Sequence, residues 1–166
     1  MNTGVVVRVP GKINLQLSVG PLEKTGFHEV ATVFQAVSLF DDVIVKSGPP
    51  NSGIEIKISG ENTDHIPVNQ NNLAYKAAEL MAKKYKVSTD LSIHLKKNIP
   101  VAGGMAGGSA NAAGVIVGID AIYNLGLKRD DMEKVGREIG SDVPFAISGG
   151  IAIGTGKGDQ ITPALS

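Results

Sequence analysis

The stretch that decides the fold is Pro100-Val-Ala-Gly-Gly-Met-Ala-Gly-Gly-Ser-Ala-Asn-Ala-Ala-Gly114, in which four glycines fall within the six residues from Gly103 to Gly108. Upstream, Leu91-Ser-Ile-His-Leu95 alternates as a strand does. Downstream, Ala112, Val115, Ile116, Ile119, Ile122 and Tyr123 recur at helical spacing. The order is strand, glycine loop, helix, with Ser109 expected as the helix N-cap and Gly126 as its C-terminal stop. Such a junction suits an anion, because free backbone N–H groups and the positive end of the helix dipole face the loop. Glycines let the backbone approach a phosphate closely. The P-loop pattern fails here for want of its lysine, and the dinucleotide fingerprint does not fit either. A tight turn with close helix–sheet packing also wants glycine, but a plain turn needs one or two.

Composition narrows the function classes. Lys and Arg balance Asp and Glu, so the formal net charge is zero, which argues against a general nucleic-acid binder. Cysteine is absent, which excludes disulfides and thiolate zinc sites. Tryptophan is absent and aromatics are few, so base-stacking platforms are not expected. No apolar run approaches the ~20 residues that span a bilayer, and no secretory leader is evident, so a cytoplasmic protein without membrane partners is expected.

Outward from the glycine loop, the first sixty residues read as largely β. Val5–Val9 forms a strand. In Lys12-Ile-Asn-Leu-Gln-Leu-Ser-Val19, alternation predicts one apolar face (Ile13, Leu15, Leu17, Val19) and one polar face (Lys12, Asn14, Gln16, Ser18). A solvated polar face is the plainer reading; Lys12 and Asn14 projecting into a site is the sharper one. Val30–Phe40 reads as a strand, Asp41-Asp42 as a turn, and Val43–Val45 as the next strand. Ile54–Ile58 follows a clear break at Gly48–Gly53. Asn71 or Asn72 caps a helix to about Tyr85 with Leu73, Ala77, Leu80 and Met81 as its buried stripe. Asp130-Asp-Met-Glu133 matches a capping box, and Asp142 precedes an apolar, proline-containing run. Ile151–Ile153 and Gln160–Thr162 flank a glycine-rich turn in which Lys157 is a turn residue. The layout is α+β: a mixed, mostly antiparallel sheet with helices packed on one face.

Pro10-Gly-Lys-Ile-Asn-Leu15 resembles the first motif of the GHMP kinases, and Pro100–Ala110 resembles their second, glycine-rich motif. Gly26-Phe-His-Glu29 and Gly140-Ser-Asp-Val-Pro-Phe145 are similar to the branch of that family that phosphorylates 4-diphosphocytidyl-2-C-methyl-D-erythritol in the non-mevalonate isoprenoid pathway. The resemblance covers nearly all of residues 1–166 and implies the N-terminal, ATP-binding domain of such an enzyme, a fold also seen in ribosomal proteins, with a C-terminal GHMP domain as its expected partner. It implies transfer of phosphate from ATP to the C2 hydroxyl, with Asp142 as general base and Lys12 as its partner. The backbone of Pro100, Val101, Ala102, Gly103, Gly104, Met105, Ala106, Gly107, Gly108, Ser109 and Ala110 would wrap the ATP phosphates, with Ser109 close to Mg²⁺. Asn72, Leu73 and Lys97 match positions that line the nucleotide base. Asn14 joins the acceptor site; Phe27 and His28 match the pair that receives cytosine by stacking and hydrogen bonding.

Two departures stand out. Phe27 replaces the more usual tyrosine, which keeps the stacking and loses a hydroxyl, and Asn111 stands where many members carry aspartate. The chain is also about half the length of a typical two-domain kinase. The alternatives are another GHMP small-molecule kinase, which Gly26–Glu29 argues against, and a non-catalytic nucleotide- or RNA-binding module of the same fold, which the neutral charge argues against.

Overall fold

One long strand organises the sheet. In the computed structural model, which describes residues 4–22, 24 and 26–164, β2 runs unbroken from His28 to Ser47. On one edge it pairs antiparallel with β1 (Gly4–Leu22) over most of its length. On the other edge its second half pairs with β4 (Leu91–Lys97) and its first half with β5 (Ile151–Thr155), both antiparallel. β3 (Ile54–Gly60) lies parallel to β4, and β6 (Gln160–Pro163) closes the far edge against β5. The mixed, mostly antiparallel sheet predicted from the sequence is therefore present, and the hairpin of β5 and β6 with it.

The expected turn at Asp41-Asp42 is not formed. Asp42 continues the β1–β2 ladder opposite Arg8, which donates to it at 3.1 Å on the surface. Asp41 is fully buried. Its charge is satisfied by partners from distant sequence, so no solvated turn is needed to hold it.

Four helices complete the domain: α1 (Leu73–Tyr85), α2 (Gly107–Tyr123), α3 (Arg129–Ile139) and the short α4 (Val143–Ser148). The core forms where Val43, Val45, Leu91, Ile93 and Leu95 of the strands meet Ala74, Ala77 and Met81 of α1 and Ala112, Val115, Ile116 and Ile119 of α2. A smaller cluster of Phe34, Phe145 and Ala152 seats α4 on the sheet, with the two phenyl rings stacked at 4.8 Å between centroids.

Helix termini divide between agreement and correction. Asn72 caps α1, accepting from the Ala74 N–H at 2.9 Å. Ser109 does not cap α2: the helix starts two residues earlier at Gly107, behind Ala106 held at φ 57°, and no side chain caps its first N–H groups. Gly107 and Gly108 accept helical geometry, so the loop ends sooner than the serine signals. The far end stops at Asn124, also left-handed, rather than at Gly126. The Asp130–Glu133 capping box is absent as well. α3 starts at Arg129 behind Lys128, and Glu133 turns inward, where burial first, and then Asp130, pushes its carboxyl above the usual range.

The alternation read in β1 is broken by bulges. Register shifts fall between Pro10 and Lys12 and between Asn14 and Gln16. Asn14 lies opposite Phe34, and Leu17 opposite Thr32. Cross-strand partners share a face, and Thr32 and Phe34 are two apart on one strand. Leu17 thus shares the face of Asn14 instead of opposing it. The face expected to be buried is not: Ile13, Leu15, Leu17 and Val19 are all exposed, Leu15 to 59%. The polar residues Lys12 and Asn14 point inward instead.

α2 lies directly on β2. A Cβ added at Gly118 would stand 2.5 Å from Val45 Cγ2, and one at Gly114 would stand 2.7 Å from Val43 Cγ2. Alanine at 118 gains ~1 kcal/mol of helix propensity, but overpacking costs about 1–3 kcal/mol, and the contact at 2.5 Å is to a buried β-branched side chain with nowhere to go. Gly118→Ala is expected to lower the chemical-denaturation midpoint; an equal or higher midpoint would show that α2 can lift off the sheet at no cost.

Candidate active site

The inward turn of Lys12 creates the first half of the site. Its ammonium donates to Asn14 Oδ1 at 2.8 Å, Asn14 Nδ2 donates to Thr32 Oγ1 at 2.7 Å, and the Thr32 hydroxyl donates to the Gln16 carbonyl at 2.7 Å. This chain of bonds fixes the amide orientation of Asn14 and aims Lys12. The ammonium also stands 5.4 Å from the centroid of Phe34, a cation–π distance. Asp142 faces it from the start of α4, with Oδ2 3.9 Å from Lys12 Nζ. That carboxylate does not bond back to cap its own helix, and a third of its side chain is exposed. At that distance the two charges attract, and a polar atom beside them can reach both within hydrogen-bond distance.

The glycine loop is tied to this strand: the Lys12 N–H donates to the Met105 carbonyl at 3.1 Å, which sets the loop beside Lys12. Within the loop Ala102, Gly104 and Ala106 all hold left-handed φ, at 60°, 71° and 57°. Non-glycine residues rarely adopt this conformation, and it gathers at ligand sites. An open cavity of ≈ 200 Å³ lies beside the loop, lined by Asn72, Leu73, Lys97, Pro100, Val101, Ala102, Gly107 and Gly108 among others. The uncapped N-terminus of α2 opens there, as an anion site requires. Gly103 and Gly104 are exposed. Met105 packs on the core, and Ala110 is buried, so its side chain faces away from any ligand. Ser109 sits in the first turn of α2.

Two residues expected to line a base have their polar atoms engaged. Asn72 accepts from Ala74 and donates to the Pro67 carbonyl at 2.7 Å, which closes the loop before α1. Lys97 ion-pairs with Asp41, and its ammonium also donates to Asn111 Oδ1 at 2.8 Å. Both charges are sealed, with the lysine side chain 5% exposed and the aspartate 0%.

Phe27 and His28 stand together at the far end of the β1–β2 hairpin, beside an opening of ≈ 360 Å³ that Lys157 and Gln160 also line. His28 Nδ1 donates to the Gly20 carbonyl at 2.8 Å. In the neutral ring this leaves Nε2 as an acceptor. Lys157 is more than a turn residue: its ammonium stands 3.4 Å from the Phe27 ring centroid.

Sequence reasoning missed Asp41, and it missed Asn111, Ile66 and Pro67 as cavity walls. One signal was available for Asp41. It stands at even spacing from Val43 and Val45, so an unbroken strand would have carried it onto their buried face. The other three come from a polar loop and a helix interior, where spacing carries no such cue.

Residues 72–150 match the family description "GHMP kinases N terminal domain". A 4-diphosphocytidyl-2-C-methyl-D-erythritol kinase of Mycobacterium avium is 48% identical over 162 residues, covering 98% of this chain and 50% of the relative. A crystal structure titled 4-(cytidine 5'-diphospho)-2C-methyl-D-erythritol kinase superposes with a TM-score of 0.75 at 32% identity, over 96% of this chain and 55% of that one. The mevalonate kinase of Methanococcus jannaschii shares the fold, with a TM-score of 0.72 at 16% identity over 99% of this chain and 56% of that one. The chain spans about half the length of the curated relatives it matches. By sequence and by fold, the chain carries the N-terminal domain of the GHMP kinases.

Proposed function

We propose that this domain serves an ATP-dependent kinase that phosphorylates the C2 hydroxyl of 4-diphosphocytidyl-2-C-methyl-D-erythritol. The observation that carries the reading is the Lys12–Asp142 pair at 3.9 Å, its lysine on a strand hydrogen-bonded to the glycine loop through Met105 and its aspartate at the start of α4. A tertiary alcohol is a weak nucleophile, and a positioned carboxylate can take its proton as the O–P bond forms. Lys12 places a positive charge where negative charge develops on the transferring phosphoryl group. The loop N–H groups and the N-terminus of α2 hold the phosphates. Phe27 supplies a stacking face for cytosine, and His28 Nε2 an acceptor for its amino group.

The donor set fits an Mg²⁺ that arrives with ATP. Ser109 offers one hydroxyl in the first turn of α2, and no group of three His, Cys, Asp or Glu among the described residues forms a cage of its own. Such an ion keeps phosphate oxygens and water as most of its ligands, and it would offset phosphate charge. The relatives named for this substrate are about twice as long, and the further half is the partner that completes the acceptor site in this reading. No helix among the described residues is long and apolar enough to cross a membrane, and the reading places the reaction in the cytoplasm.

Three outcomes test the reading. A Cβ at Gly107 would stand 3.1 Å from Lys97 Nζ and 3.2 Å from Ile99 Cγ2, so Gly107→Val should crowd the cradle and abolish ATP binding by calorimetry while circular dichroism stays native. Unchanged affinity would remove the phosphate assignment. Asp142→Asn, in a chain extended by a C-terminal half, should lower turnover by ~10²–10⁴ with ATP affinity retained; near-normal turnover would remove the base. The 166-residue chain should release ADP with the cytidylyl substrate far more slowly than the extended form, since misplacement by ~1 Å costs about 10²-fold. Equal rates would show that the further half is dispensable.

A further inference from the structure

We propose that Asp41 is a positioning residue for the glycine loop, its buried carboxylate setting where that loop stands over the cavity it walls. The inference rests on reading that cavity as the nucleotide site. Asp41 itself lies on β2, outside the cavity lining. Its two oxygens collect four donors. Oδ1 accepts from the N–H groups of Asn98 at 2.7 Å and Ile99 at 2.8 Å, the two residues that lead into the loop. Oδ2 accepts from Lys97 Nζ, the last residue of β4, and from Asn111 Nδ2 of α2 at 2.8 Å. One side chain thus ties the end of β4, the start of the loop and the second turn of α2 to the central strand. A further bond ties Asn98 Nδ2 to the Phe40 carbonyl at 3.0 Å.

The loop needs such an anchor. Ala102 and Ala106 hold left-handed backbone that alanine adopts only where its surroundings over-determine it. The anchor must also be charged. Lys97 is nearly buried, and without a counter-charge its ammonium would be largely uncompensated. Asp41 and Asn111 occupy two of the three lysine N–H groups, leaving one for the cavity that Lys97 lines. The cluster carries one carboxylate and one ammonium, and Asn111 bridges them as donor to one and acceptor from the other. Neutral asparagine suits that place because the negative charge is already supplied from β2. Stability alone does not require this arrangement, since well-packed apolar groups can replace a buried ion pair without loss.

The experiment compares the wild-type chain with Asp41→Asn and with the double variant Asp41→Asn/Asn111→Asp, which returns a carboxylate to Lys97 from the neighbouring position. Amide exchange is read without nucleotide, and ATP affinity by calorimetry. In Asp41→Asn, exchange at residues 98–108 should quicken by about tenfold or more while Val43, Val45 and Ile93 keep their protection, and ATP should bind about tenfold or more weakly, the scale of a lost bond to a charged group. The double variant should recover most of both. Unchanged loop exchange in a folded Asp41→Asn would overturn the proposal, as would a uniform rise across loop and core, which a merely structural role would give. If the single variant does not fold, a folded double variant decides: wild-type loop protection supports the anchor, and fast exchange there overturns it. A wild-type chain that binds no ATP would refute the nucleotide reading, while loop exchange would still test Asp41.

Discussion

The closeness of α2 to the sheet is the constraint on which the remaining geometry depends. Gly114 and Gly118 present no side chain to Val43 and Val45, so the helix axis lies nearer the strands than an alanine face would permit. Packing at that density fixes position to within a fraction of a methyl group. The N-terminus of the helix then stands near the end of β4, and the loop between them passes Lys12 of β1, which donates its N–H to the Met105 carbonyl.

Two lysine–aspartate pairs flank this loop, and their differences match different tasks. Lys97 and Asp41 are buried and in contact, with the carboxylate taking four donors and the ammonium keeping one N–H toward the cavity. Packed apolar groups can often replace a buried pair without loss of stability, which fits the positioning role proposed for Asp41. Lys12 and Asp142 stand 3.9 Å apart, part-exposed, with the lysine oriented by Asn14 and the carboxylate free of a capping duty. The looser pair retains bonding capacity for a reactant, while the tighter one has almost none left.

The exposed apolar residues of β1 belong to the same logic. In the bulged strand Lys12 and Asn14 turn inward, while Ile13, Leu15, Leu17 and Val19 stand at the surface. Each bulge re-aims a side chain at the cost of regular pairing, which is their common use beside sites. An apolar stripe of this length on a domain surface invites cover.

By itself the sequence determined the class of fold and the character of the loop. Glycine clustering before a helical period, alternation in β3 and β4, the Asn72 cap and the hairpin near the end are all local patterns, and each survives because φ, ψ preferences and periodicity act over a few residues. Resemblance in four short motifs added the family and named Lys12 and Asp142. Tertiary structure alone decided the rest. The direction of Lys12 depends on bulges that no alternation rule reveals, because one extra residue inverts every side chain beyond it. The burial of Asp41 depends on Lys97 and Asn111, which lie 56 and 70 residues away. An acid beside another acid reads locally as a turn, and only long-range partners make it a buried strand residue. Lys157 meets Phe27 only because β5 and β6 fold back beside the β1–β2 hairpin.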